Sequence, residues 1–235
     1  MVEVNFRHTR PEEVVGLRRV EELRDWSGPT IGAAVTWRRL ERDGPRALAQ
    51  AARTVGSPQI RNAGTIGGNL ATASPAGDGH PFLVAVDASI EAVSPASTRS
   101  IPWSEFFTGV KKTSLGPNEL ISAVVLPDDL PERQEFGKVG VRNAMVISTV
   151  CAVVTRRDDG VTTVGLGSVA PTPMRARRAE EMISAVAHPT EGDLTEFSRL
   201  ISEEVSPITD HRSTEAYRRH AVGVLCRRLL ERCLR

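Results

Sequence analysis

Cysteine is scarce: Cys151, Cys226 and Cys233 are the only three, and no two of them form a C-x-x-C. That count argues against a zinc or iron–sulfur centre built from this chain alone. Cys226 and Cys233 stand seven positions apart, about two helical turns, and with Cys151 they read as reduced core residues. The five histidines (His8, His80, His188, His211, His220) have no metal-ligand spacing and read as surface or capping residues. An excess of one charge is also missing. Thirty lysines and arginines nearly balance 29 aspartates and glutamates, which argues against nucleic acid or an acidic membrane surface as the main partner. No apolar run approaches a membrane span, and the N-terminus has no signal-peptide core, so the default location is the cytoplasm. Nor does any nucleophile stand with a matching base.

What the chain does have is bulk and one unusual stretch. With 235 residues, 40% of them hydrophobic, it suits one large domain or two small ones with a real core. Residues 60–78, I-R-N-A-G-T-I-G-G-N-L-A-T-A-S-P-A-G-D, hold Gly64, Gly67, Gly68 and Gly77 among small and hydroxylated residues. With so little side-chain bulk, this stretch is expected to be irregular backbone lying close to a ligand, its N–H groups converging on an anion such as a phosphate. Thr65, Asn69, Thr72 and Ser74 add donors without volume. The alternative is a surface loop whose hydroxyls close local turns.

The order of elements narrows the ligand class. Residues 1–6 alternate like a strand, Thr9 gives a cap signal, residues 30–37 read as a short strand, and residues 36–42 as a turn or short helix. Residues 47–55 are rich in helix formers and stop at Gly56, Ser57 and Pro58. A helix therefore leads toward the glycines, which spaces them wrongly for a G-x-G-x-x-G fingerprint; a P-loop lysine is absent as well. Residues 80–94 read as a helical or buried segment running into a strand, and residues 120–126 as a strand after a turn. Residues 127–131, P-D-D-L-P, are the best linker. Beyond it, residues 145–155 and 161–169 read as a hairpin closed at Gly160, and residues 175–186, 194–205 and 214–234 as helices. The last has apolar positions at Tyr217, Ala221, Val224, Leu225, Leu229 and Cys233. Its arginines, Arg218, Arg219, Arg227, Arg228, Arg232 and Arg235, read as a solvated face or, more sharply, a partner interface.

The run I-R-N-x-G-T-I-G-G-N-L-x-T-A-S-P-A-G-D, with F-F-T-G-V-K-K-T and E-L-I downstream, resembles the FAD-binding medium subunits of the molybdenum hydroxylases, the xanthine dehydrogenase and carbon monoxide dehydrogenase family. The likeness is nearest to the bacterial xanthine dehydrogenase branch. K-V-G-V-R-N-A-M-V-I-S-T-V, G-S-V-A-P-T-P-M-R-A and S-P-I-T-D-H-R-S-T-E-A-Y-R-R-H extend it over nearly the whole chain. The resemblance implies an α+β fold with a PCMH-type FAD-binding domain over residues 1–130 and a C-terminal domain of antiparallel sheet and helices over residues 131–235. It implies FAD as cofactor, its pyrophosphate held by Thr65, Ile66, Gly67, Gly68 and Asn69, with Thr72 and Ser74 in the following turn. Asp78 matches an aspartate that binds the cofactor, and Lys112 a lysine near the flavin ring. The implied role is electron transfer, from an iron–sulfur small subunit and a molybdopterin large subunit to NAD or another acceptor, with molybdopterin and 2Fe-2S on the partners only. Members of the family carry an earlier lobe with an A-G-G-T-D loop, and here Met1 opens directly on the strand that follows it. The expectation is a start assigned too late, or else a truncation, so that residues 60–78 form half of a two-loop site. The alternative function is a truncated, non-catalytic partner-binding module that no longer holds FAD.

Overall fold

The computed structural model describes residues 10–235. The strand expected over residues 1–6 and the Thr9 cap lie outside them. Residues 10–16 are not helical, and the next turns are 3-10 helices at Leu17–Arg19 and Glu22–Arg24.

A short hairpin, β1 (Trp26–Ser27) and β2 (Thr30–Gly32), leads into four consecutive helices. These are α1 (Trp37–Asp43), α2 (Arg46–Thr54), α3 (Pro58–Ala63) and α4 (Ile66–Thr72). The stretch expected to be irregular is thus largely helical, which corrects the reading made from its lack of bulk. Two caps account for it. The Ser57 hydroxyl accepts the Ile60 N–H and starts α3; the Thr65 hydroxyl accepts the Gly68 N–H and starts α4. Ile66 and Leu70, four apart, are buried and supply the apolar side. That burial offsets the roughly 1 kcal/mol that each helical glycine costs relative to alanine.

Helix α5 (His80–Ala85) follows, then β3 (Ser89–Val93), β4 (Thr98–Pro102), α6 (Trp103–Phe106), the hairpin β5 (Phe107–Gly109) and β6 (Lys112–Thr113), and β7 (Leu120–Val125). The first sheet runs β1-β2-β7-β3-β4 and is antiparallel throughout, with Thr30 opposite Val125 and Ile90 opposite Val124.

The second sheet runs β11-β10-β9-β8, from β8 (Arg133–Val139), β9 (Val150–Arg156), β10 (Thr162–Gly167) and β11 (Met174–Arg175), again antiparallel. The hairpin around Gly160, at φ +93°, is as expected. Its first strand is shorter than the apolar run suggests. The Arg142 guanidinium donates to the Ala144 and Met145 carbonyls and folds residues 140–147 into a loop, leaving Val141, Met145 and Ile147 exposed. Helices α7 (Arg177–Ser184), α8 (Glu191–Glu204) and α9 (Glu215–Cys233) complete the chain. On α9, Tyr217 is exposed and Arg218 is 2% exposed, the reverse of the expectation for both.

Strand β9 is buried along its whole length, which explains its unbroken run of apolar residues. Successive side chains point to opposite faces. Cys151 and Val153 join the core of the N-terminal half, whereas Val150, Ala152 and Val154 join the core under α7, α8 and α9. On the N-terminal side, α5 lies so close to β10 that a Cβ on Gly165 would sit 1.9 Å from the Pro81 carbonyl oxygen. We expect Gly165→Ala to destabilise the chain by about 1–3 kcal/mol, the usual cost of overpacking. A urea midpoint equal to that of the parent chain would show that α5 does not need this contact.

Candidate functional site

Residues 60–78 border two clefts that share α3 as a wall. The first, of about 570 Å³, is lined by Thr65, Gly67 and Gly68, by Asn62 and Ala63 of α3, and by Ala33, Leu115 and Leu120, with Arg18 and Arg24 also in its wall. That volume lies in the range of small-molecule sites. The second, of about 740 Å³, lies beside Pro58 and Arg61 of the same helix and takes Thr54, Lys138 and the 140–146 loop as its other walls.

In the first cleft, the amides expected to converge on an anion are mostly occupied. The Ile66 N–H donates to the Val35 carbonyl (3.1 Å) and the Gly67 N–H to the Ala33 carbonyl (2.9 Å). The two adjacent glycines therefore differ. A Cβ on Gly67 would lie 2.6 Å from the Ala33 Cβ, so that position is glycine because backbone packs on backbone. A Cβ on Gly68 would meet only the Thr65 hydroxyl, at 3.2 Å. Gly68 is exposed, lines the cleft, and gives its N–H to the capping hydroxyl of Thr65 rather than to buried backbone. This bare backbone, with small side chains around it and two arginines in the wall, fits a pyrophosphate-bearing dinucleotide.

The remaining expected residues, Ile66, Asn69, Thr72, Ser74, Asp78 and Lys112, line neither cleft. Ile66 is buried. The Thr72 hydroxyl donates to the Gly68 carbonyl, and the Ser74 hydroxyl accepts the Ala76 N–H. Lys112 is exposed on β6. Asp78 is 8% exposed and is tied to two wall residues of the second cleft: it takes the Lys138 ammonium at 2.6 Å and the Thr54 hydroxyl at 3.2 Å, and also the Ser148 hydroxyl at 2.5 Å. Sequence reasoning missed Lys138 and Ser148. Their only trace was the motif K-V-G-V-R-N-A-M-V-I-S-T-V, in which no pairing with Asp78 can be read.

The family described as the FAD binding domain in molybdopterin dehydrogenase matches residues 1–129, and that described as the CO dehydrogenase flavoprotein C-terminal domain matches residues 136–233. The chain belongs to the FAD-binding subunits of the molybdenum hydroxylases. It is 33% identical over 201 residues to the nicotinate dehydrogenase FAD-subunit of Eubacterium barkeri, covering 78% of this chain and 68% of that one. It is 28% identical over 246 residues to the xanthine dehydrogenase FAD-binding subunit of Escherichia coli O157:H7, covering 98% and 84%. A chain of the carbon monoxide dehydrogenase from Hydrogenophaga pseudoflava superposes with a TM-score of 0.89 at 27% identity, covering 99% of this chain and 85% of that one. Members of the family are oxidoreductase subunits, and the α+β architecture expected of it is the one found here. Among the described residues, no helix is long and apolar enough to cross a membrane.

His80, expected at the surface or as a cap, is fully buried at the start of α5. Its Nε2 is 3.3 Å from the Asn69 carbonyl oxygen of α4, its ring packs on Phe107 with centroids 4.8 Å apart, and Nδ1 has no partner among the described residues. Burial pushes its pKa down to about 4, against the pull of the Asn69 carbonyl. The fold thus holds the neutral ring, while the unfolded chain takes up a proton below about 6.5. Stability contributed here is complete above about pH 6.5 and is lost as pH falls toward 4, by about 3 kcal/mol in all. His80→Gln should flatten the pH dependence of the unfolding free energy in that window; an unchanged slope would mean that His80 does not titrate with unfolding.

Proposed function

We propose that this chain is the electron-transfer flavoprotein of a multi-subunit molybdenum hydroxylase, with FAD held along the first cleft and Asp78 assigned to the same cofactor site. The partners in this reading are an iron–sulfur small subunit and a molybdopterin large subunit. Electrons pass from the clusters to NAD or another acceptor, and the complex is cytoplasmic. The observation that carries the reading is Gly68, a bare and exposed backbone position in the wall of a cleft of fitting size.

Bound FAD would supply the two-electron store that joins one-electron carriers to a two-electron acceptor. The chain's own residues bind and orient. We assign Thr65, Ile66, Gly67, Gly68 and Asn69 to the pyrophosphate segment: Ile66 and Gly67 anchor it through their bonds to Val35 and Ala33, and Gly68 presents its face. Thr72 and Ser74 fix the turn that delivers Asp78, and Lys112 is the flavin-side lysine of this reading. Lys138 joins Asp78 because the two are paired in a site that largely excludes water, 9% and 8% exposed. No acid–base chemistry on a substrate is asked of any of them. We place the domain boundary at residues 130/131, supported by the proline-flanked loop between β7 and β8.

Absorbance of the chain co-expressed with its partners tests the reading: a flavin spectrum is expected. Gly68→Val should lower FAD retention by tenfold or more while lowering the unfolding free energy by at most about 2 kcal/mol, since its Cβ meets only the Thr65 hydroxyl and the most it can cost is that cap. Unchanged retention would remove the first cleft from the site. A chain that co-purifies with its partners and carries no flavin would instead be the partner-binding module.

A further inference from the structure

Arg218 is unlike the other arginines of α9. It is one of the largest fully buried side chains, 2% exposed, and its guanidinium spans three separate segments. Nη1 donates to the Thr149 carbonyl and, at 3.1 Å, to the Ser168 carbonyl; Nη2 donates to Asp210 at 2.7 Å. Burial raises the Asp210 pKa, but the Arg212 amide and the Arg218 guanidinium outweigh it and hold the carboxyl at about 2, so the pair stays charged.

Each carbonyl that Arg218 holds belongs to a residue linked to the surroundings of Asp78, one through the chain and one through a hydrogen bond. Thr149 follows Ser148, whose hydroxyl donates to Asp78, and the Thr149 N–H bonds to the carbonyl of Val139, the neighbour of Lys138. The Ser168 N–H donates to the carbonyl of Pro75 in the turn before Asp78 (2.8 Å), and Ser168 itself is held at φ +66°. We propose that Arg218 is a positioning residue for the cofactor site: from the C-terminal helix it clamps residues 148–149 and 168, and thereby sets where Ser148 and Lys138 meet Asp78. This rests on the assignment of Asp78 to the FAD site. It turns a residue expected to face solvent or a partner into an internal clamp of the C-terminal half, one that meets the N-terminal half only through Ser148 and Ser168.

A matched control exists. Arg156 is also 2% exposed and also binds carbonyls, of Ile183, Val186 and Ala187, but at the far end of β9, on the order of 20 Å from Thr149. Arg218→Met, Arg218→Lys, Ser148→Ala, Asp78→Asn and Arg156→Met are compared in the full chain co-expressed with its partners. The readouts are FAD affinity, the position of the flavin absorption bands, and amide hydrogen exchange at residues 149 and 168. Arg218→Met and Ser148→Ala are expected to weaken FAD about tenfold, the loss of one hydrogen bond to a charged group, and to shift the bands in the same direction. Arg218→Lys should recover part of the shift. Arg156→Met should lower the melting temperature without moving the bands or the exchange at 149 and 168. An Arg218→Met chain with parental bands and parental exchange, or one indistinguishable from Arg156→Met, overturns the proposal. If Asp78→Asn shifts the bands while Arg218→Met does not, only the role of Arg218 falls. If Asp78→Asn shifts nothing, the assignment of Asp78 falls and the proposal falls with it. Should Arg218→Met fail to fold, the Arg218→Lys and Ser148→Ala pair decides: parental bands and FAD affinity in both overturn it.

Discussion

A carboxylate that loses its water must be given donors in its place, and Asp78 is where this fold meets that demand. Its two oxygens receive a lysine from β8, a serine from the loop before β9 and a threonine from the end of α2. These donors come from chain segments 24 to 70 positions away. Burial of the charge is therefore tolerated only when both halves of the molecule are in place. Removing either charged partner would strand the other in a site of low dielectric, the situation that costs several kcal/mol in proteins generally. The second cleft, whose wall includes Lys138 and Thr54, inherits its shape from this cluster.

The same dependence runs through β9. Because its side chains alternate, one strand closes two cores, and neither half can discard it. Polar ties reinforce the seam at separate points. Arg46 and Gln50 of α2 bind Glu135 of β8, and Arg175 spans from Glu180 to Asp87 on the N-terminal side. A boundary between residues 130 and 131 is thus compatible with a continuous packed interior. The linker separates two stretches of chain, while the strands beyond it remain load-sharing for both.

Much of this was legible in the sequence where periodicity and caps operate locally. The helices of residues 175–234, the Gly160 hairpin and the strand after Pro117 follow from pattern and turn chemistry alone. What was not legible depends on partners distant in sequence. His80 looks like any histidine until Phe107 and Asn69 close over it, and Arg218 looks like one more arginine of a basic helix until Asp210 and two carbonyls are brought to it. Lys138 and Ser148 carry no motif visible by spacing. The helices at Pro58–Ala63 and Ile66–Thr72 are hidden for a different reason: composition there points away from a helix, while the caps at Ser57 and Thr65 start one each.

Gly67 and Gly68 show most sharply where sequence reading stops. The letters are the same and adjacent, and a cradle argument treats both as openings toward a ligand. Yet a helix turns its residues by about 100° each, so two neighbours cannot face one surface equally. Gly67 points back onto Ala33 and is fixed by backbone contact, while Gly68 faces the cleft and a side chain there would meet only the capping hydroxyl of Thr65. The first glycine sets how deeply α4 seats against the segment after β2; the second leaves the space that this seating creates. The proposed dinucleotide site therefore rests on a pair, one glycine for packing and one for access, and their roles follow from the helical phase that the Thr65 cap imposes.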